Sequence, residues 1–228
     1  MEPVLLTPRL KLTLITHAER GSQELTWLHE LRSNVQTNLW SIHPPSKTLS
    51  DTEKTIASYL PATPDPTLAT DPAPRTYKLA YAVHETAPAG PPHFIGLVTL
   101  SSLSPHHLAL PSALVVPASH EPSTLVAELA YSFLPPAWGR GYATEALTAV
   151  LDACRAPAAA GFWDPSKRVW MRVIVNGRNS ASLRVMRKLA GFGVVEKGVF
   201  EWKGERIFIG GEWRTEDDLY IFGAWLRE

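Results

Sequence analysis

Residues 128–146 read Glu-Leu-Ala-Tyr-Ser-Phe-Leu-Pro-Pro-Ala-Trp-Gly-Arg-Gly-Tyr-Ala-Thr-Glu-Ala. No other stretch restricts the fold as strongly. Leu129, Tyr131 and Phe133 alternate with Glu128, Ala130, Ser132 and Leu134, as a strand requires. Pro135 and Pro136 stop that strand, because neither can donate a ladder hydrogen bond. Ala143, Ala146, Leu147, Val150, Leu151 and Cys154 then recur at helical spacing, so a helix opening at about residue 143 commits one face to the core. Gly139 and Gly141 lie between the two elements. A strand feeding a helix through a glycine turn leaves backbone N–H groups at the helix start converging on a small volume, a natural anion site. The spacing fits a pyrophosphate. No G-x-x-x-x-G-K-[ST] occurs, and no G-x-G-x-x-G followed by an acidic residue, so a P-loop and a dinucleotide fingerprint are excluded.

The run Trp138-Gly139-Arg140-Gly141-Tyr142-Ala143-Thr144-Glu145-Ala146 resembles the acetyl-CoA-binding motif of GNAT N-acetyltransferases, in the branch of the RimJ/RimL-like ribosomal-protein alanine acetyltransferases. The family usually has Gln or Arg where this chain has Trp138, and Gly141 and Ala143 are in place. The departure removes one side chain beside the pyrophosphate and leaves the amides. A second run, Asn179-Ser-Ala-Ser182 through Gly191-Phe192, resembles the family's N-x-x-S helix with one extra residue before Gly-Phe. Leu6–Leu12 resembles its first strand, and Glu30 through Trp40 its first helix and turn.

The resemblance implies an α/β (α+β) GNAT fold. Its central sheet is mixed, mostly antiparallel, with about 6–7 strands and about four flanking helices, splayed between the fourth and fifth strands. It implies acetyl-CoA as acyl donor and a primary amine as acceptor, either a protein N-terminus or a small molecule. The pantetheine arm would lie along the backbone of Phe133 and Leu134. The residues from Trp138 through Thr144 would surround the pyrophosphate, with the amides of Arg140, Gly141, Tyr142, Ala143 and Thr144 binding it. Asn179 would contact the arm or orient a water, and Trp40 would border the acceptor. Glu128 is the candidate general base, against the alternative of a strand-end glutamate paired with a surface cation. Ser182 is the candidate donor to the departing thiolate, against the alternative of helix capping or first-turn hydrogen bonding. Glu145 reads as a helix-dipole stabiliser, and Tyr220 as a weaker donor. A non-catalytic acyl-CoA-binding sensor on the same fold is the competing reading.

Composition sets the remaining bounds. With 22 Lys+Arg against 22 Asp+Glu, the chain has no net charge to draw it to nucleic acid or an anionic membrane. Residues 155–206 nevertheless hold 11 of those cations and only 4 of the acids, a distribution suited either to polyanionic CoA or to a solvated helix face. The single cysteine, Cys154, excludes an internal disulfide and fits a reducing, cytoplasmic setting. No apolar run is long enough for a membrane span. His106, His107 and His120 lack ligand spacing, so no metal is assigned.

Strands are expected at about 5–16, 76–84, 93–103, 168–175, 193–209 and 217–226 besides the motif strand. Helices are expected at about 22–34, at 180–190, and from a Ser50-Asp-Thr-Glu53 capping box to about residue 60. The proline-rich stretches 61–75 and 104–122 read as loop insertions in one domain spanning 1–228. Nothing decides between monomer and dimer.

Overall fold

The computed structural model describes residues 1–61, 76–86, 90–104, 107–116 and 124–228. Most of the expected 61–75 insertion lies outside them. Eight strands form one sheet: β1 (Val4–Leu6), β2 (Leu10–Leu14), β3 (Lys78–Glu85), β4 (His93–Ser102), β5 (Thr124–Phe133), β6 (Arg168–Asn176), β7 (Val195–Ile209) and β8 (Glu212–Arg227). Their order is β1-β2-β3-β4-β5-β6-β8-β7. Every pairing is antiparallel except β5–β6, so the mixed sheet follows expectation. The expected first strand is two strands. Pro8 interrupts it, and Thr7 Oγ1 accepts from the Leu10 amide at 2.9 Å to turn the chain back.

Helices α1 (Gln23–Ser33), α2 (Leu49–Ile56) and α3 (Ser112–Val115) lie on one face, called the front. Helices α4 (Tyr142–Arg155), α5 (Ala160–Trp163) and α6 (Ser180–Lys188) lie on the back. α3 falls inside the expected 104–122 loop. The cap of α2 is Thr48, not Ser50. Its hydroxyl accepts from the Asp51 amide while Asp51 Oδ2 accepts from the Thr48 amide at 3.0 Å. Glu53 is instead held by Arg20 at 2.8 Å. The box therefore sits two residues earlier, with aspartate in the reciprocal position.

Strand alternation sorts the core into two layers. Leu79, Tyr81 and Val83 of β3 face the back with Leu147 and Val150 of α4, whereas Ala80 and Ala82 face the front with Leu25, Leu28 and Leu31 of α1. The predicted stripe of α4 is buried from Ala146 to Cys154, with Ala143 only partly covered. Burial pushes the Cys154 thiol up to about 12, which suits a packing role. β7 and β8 are joined by Gly210 and Gly211 at φ +66° and +87°, the two left-handed residues a tight hairpin requires. The gap expected between strands at about 193–209 and 217–226 is therefore the turn and first residues of a long hairpin.

One buried titratable group stands apart from the site. His84 is 4% exposed, edge-on to Trp27 and Phe94, and neither ring nitrogen makes a hydrogen bond of good geometry. Burial holds its pKa below the usual 6.5, only partly offset by backbone groups of Lys11 and Ala82. The folded state therefore favours neutral histidine. The stability this gives is fully present above pH about 6.5 and is lost as pH falls below it. Denaturant titrations from pH 8 to 5 should show stability declining with acid. His84→Leu should flatten that limb, whereas an unchanged limb would show that other groups set it.

Candidate active site

The sheet contains a slot. β5 and β6 pair from Thr124↔Arg168 only as far as Glu128↔Arg172, although β5 continues to Phe133 and β6 to Asn176. Beyond that last pair the strands diverge. The expected splay thus falls between the fifth and sixth strands, the count having moved by one with the divided first strand. The Leu134 amide donates to the Ile95 carbonyl at 2.8 Å. By alternation, the amides of Tyr131 and Phe133 face the slot. This corrects one expectation, since Leu134 is committed to β4 and its amide is not open to an arm.

The mouth of the slot is the glycine turn. Gly139 and Gly141 have φ of +71° and +82°, and Gly141 is the N-cap residue of α4 without a side-chain cap. Among the described residues, none of the amides from Gly139 to Thr144 donates to a protein acceptor. Free N–H groups and a helix dipole at one turn are what an anion site requires, and one is expected here from the sequence. A side chain at Gly139 would meet no atom within 4 Å, so the turn opens outward.

Side chains around the turn serve to hold it. Arg140 pairs with Glu85 at 2.7 Å, and the buried Tyr142 donates its hydroxyl to the same carboxylate. Glu145 accepts from Thr7 Oγ1 at 2.6 Å, the Arg9 amide at 3.1 Å and Arg9 Nε at 2.7 Å, and Arg9 Nη1 donates to the Arg140 carbonyl. Glu145 is thus a tie between the β1–β2 turn and α4, more than a dipole partner. Burial alone would raise its pKa, but the hydrogen bonds from Thr7 and Arg9 hold it below the usual 4.5. Trp138, half exposed, donates its indole N–H to the Phe133 carbonyl at 2.6 Å. It braces the end of β5 where a family member would place Gln or Arg.

On the back wall, Asn179 Oδ1 accepts from the Ser182 amide at 3.1 Å. Asn179 is therefore the cap of α6, and Ser182 takes part in the first-turn hydrogen bonding through its amide, leaving its hydroxyl out of the cap. The capping oxygen of Asn179 is engaged with the helix, so its expected contact with an arm or water would fall to its amide nitrogen. Sequence reasoning missed Tyr131. Its hydroxyl is buried without a well-formed hydrogen bond, and burial raises it to about 12, with the Ser182 hydroxyl close enough to offset part of the rise.

On the front, at the apex of the slot, Glu128 Oε2 accepts from Arg172 Nε at 2.9 Å and pairs with Nη2 at 2.8 Å. Arg172 is 2% exposed, so the partner of Glu128 is a buried cation and not the surface one weighed from sequence. A lone charge in Val-Trp-Met-Arg-Val-Ile-Val was the available signal, because a buried charge needs a partner. Trp40 packs on Gly210, where a Cβ would meet its ring at 2.7 Å, and Leu39 accepts from the Gly210 amide at 2.7 Å. Buried Asn38 fixes this loop by donating to the carbonyls of Leu31 and Asn34 at 2.9 and 2.8 Å. Thr37 reaches the Phe133 carbonyl at 3.4 Å. Trp40 thus lies between the α1–α2 loop and the hairpin tip. Tyr220 packs in the back layer under Arg187. Among the described residues no group of three or more His, Cys, Asp or Glu is placed to hold a metal ion, and no helix is long and apolar enough to cross a membrane.

The family model of the GNAT acetyltransferase domain matches residues 9–192, and the chain belongs to that family. No curated protein matches. Among solved structures, a GNAT-family acetyltransferase from Bacillus anthracis is 17% identical with a TM-score of 0.58, covering 99% of each chain. The spermidine N-acetyltransferase of Vibrio cholerae in complex with CoA and spermine is 19% identical with a TM-score of 0.55. That match covers 94% of this chain and 95% of the other. At these identities the likeness shows the shared fold.

Two outcomes are expected. Gly141→Val must hold a β-branched residue at φ +82°, at a cost of roughly 1–2 kcal/mol, and should weaken CoA binding in calorimetry by about tenfold. Glu145→Gln should lower stability at pH 7 by about 1–3 kcal/mol, the scale of hydrogen bonds to a charged group. Its depressed pKa gives stability above pH about 4.5 that is lost as pH falls through the folded-state value, so the gap between wild type and variant should narrow in denaturation curves as acid is added.

Proposed function

We propose that this protein is an acetyl-CoA-dependent N-acetyltransferase that transfers the acetyl group directly to a primary amine in a ternary complex. The observation that carries the reading is the slot. It begins at an unpartnered amide turn and ends at a carboxylate. From Phe133 to Leu129 a strand covers about 14 Å, a length suited to a pantetheine arm. Pyrophosphate would take the amides from Arg140 to Thr144. The arm would pair with the amides of Tyr131 and Phe133 beside Asn179 and Trp138. The thioester would then lie near the apex, between Ser182 on the back and Glu128 on the front. The resemblance of residues 138–146 to the RimJ/RimL-like motif supports the same chemistry.

In the reaction the amine nitrogen bonds to the thioester carbonyl carbon and the C–S bond breaks. The amine gives up a proton and the CoA thiolate takes one. Glu128 Oε1, with no partner among the described residues, is the group we assign to receive the amine proton, directly or through water. Ser182 donates to the thiolate, and Tyr131 stands behind it. Trp40 borders the acceptor entrance.

Thiol release over a panel of amines tests this. Glu128→Gln should retain acetyl-CoA binding and lose about 10²–10⁴ in rate. Ser182→Ala should lose about tenfold, the scale of one hydrogen bond to a developing charge. Wild type that binds CoA yet releases no thiol with any amine would defeat the transferase reading and leave the sensor.

A further inference from the structure

Beside the Glu128–Arg172 pair, on the front of the sheet, lies a cavity of about 500 Å³. Its wall is mainly aliphatic: Leu108, Leu110, Val115, Val116 and Val126 line it, and Arg172 closes one side. Arg172 is almost fully buried, and its recorded partners are Glu128 and the Leu108 carbonyl at 3.1 Å, through Nε and Nη2. Its Nη1 has no partner among the described residues. A guanidinium carries five N–H donors, and those of Nη1 are left for a group entering the cavity that Arg172 lines. Glu128 has the complementary vacancy. Oε2 serves Arg172, and Oε1 is without a partner among the described residues, on a side chain 27% exposed. A cation that lines the largely aliphatic chamber and an anion paired to it just outside that lining therefore each keep one valence open.

We propose that this arrangement is a binding site for a zwitterion, and that the acceptor is an amino acid with an apolar side chain. The substrate carboxylate takes the open Nη1 of Arg172, a charge-assisted bond of the kind arginine forms with carboxylates. The amino group meets Glu128 Oε1, and the side chain fills the cavity. Arg172 closes the paired end of β5 and β6, so the amino group is presented where the slot opens. His107 adds a polar point to the rim. Its Nδ1 accepts from the Ser104 amide at 3.0 Å, which puts the proton of the neutral ring on Nε2. A polyamine fits this site poorly, since its second cation would face Arg172 or aliphatic side chains.

This inference rests on the transferase reading for the fate of the amino group, but binding can be measured apart from it. Calorimetry with acetyl-CoA-free protein would compare L-phenylalanine, phenethylamine, 3-phenylpropionate and spermidine. L-phenylalanine should bind at least about tenfold more tightly than either half-molecule, the scale of one charge-assisted hydrogen bond, and more tightly than spermidine. Val126→Phe should fill the cavity and remove amino-acid binding while CoA affinity stays within about twofold, because Val126 lies in the paired part of β5, before the strands part. Arg172→Lys keeps the buried charge but not the fork, and should bring L-phenylalanine and phenethylamine to equal affinity. Spermidine or phenethylamine binding as well as L-phenylalanine to wild type would overturn the site, as would a folded Val126→Phe that binds the amino acid normally. Should Val126→Phe fail to fold, the affinity ratio in Arg172→Lys decides alone. Amino-acid binding that obeys both variants without thiol release would keep the site and defeat only the transferase reading.

Discussion

Everything in this molecule turns on the place where β5 and β6 cease to pair. A parallel ladder that continued past Glu128↔Arg172 would close the sheet and leave no route through it. The strands part where two oppositely charged side chains meet. Arg172 is buried, and a buried charge without a partner would cost several kcal/mol. Glu128 therefore serves the structure itself: it makes a cation tolerable at the vertex of the slot. The wider architecture keeps the opening rigid. β4 secures Leu134 and hence the far end of β5, while Arg155 ties α4 to the carbonyls of Trp225 and Phe192 at 2.9 and 2.7 Å.

The anion turn depends on the same rigidity. Its amides can stay unpartnered only if the loop carrying them cannot collapse onto itself. Glu85 and Glu145 prevent that collapse. Each gathers two donors from one distant segment of the chain, Arg140 and Tyr142 in one case, Thr7 and Arg9 in the other. Both positively charged side chains also lie over the Tyr142 ring, 4.7 Å from its centroid, a further attraction. The side chains nearest the turn are thus spent on shaping it, and the backbone is left to bind.

Much of this was legible in the sequence because local rules governed it. The alternation of residues 128–134, the prolines after it and the period of 143–154 left little choice of element. The paired glycines specified the turn. What escaped was set by partners far along the chain. The start of α2 could be capped by Ser50 or Thr48 on local grounds, and the reach of Arg20 to Glu53 helps select the latter. Pro8 was visible, but its splitting of one strand into two depended on the tie from Thr7 and Arg9 to Glu145. Arg172 stood out as a charge among aliphatic residues, yet only the β5–β6 register names Glu128 as its partner. The buried hydroxyl of Tyr131 had no signal, since alternation says which face a tyrosine takes and not whether its oxygen finds a donor or acceptor.

The two openings of the slot have a kinetic consequence. The amide turn and α6 approach it from one side of the sheet, while the Glu128–Arg172 pair, Trp40 and the hairpin tip border it from the other. On the proposed reading, donor and acceptor arrive through separate doors, and neither blocks the other's exit. Such an enzyme has no structural need for a compulsory order of addition, nor for an acylated intermediate that must wait while one product clears the way. Initial-rate lines drawn at several fixed concentrations of one substrate would then converge instead of running parallel.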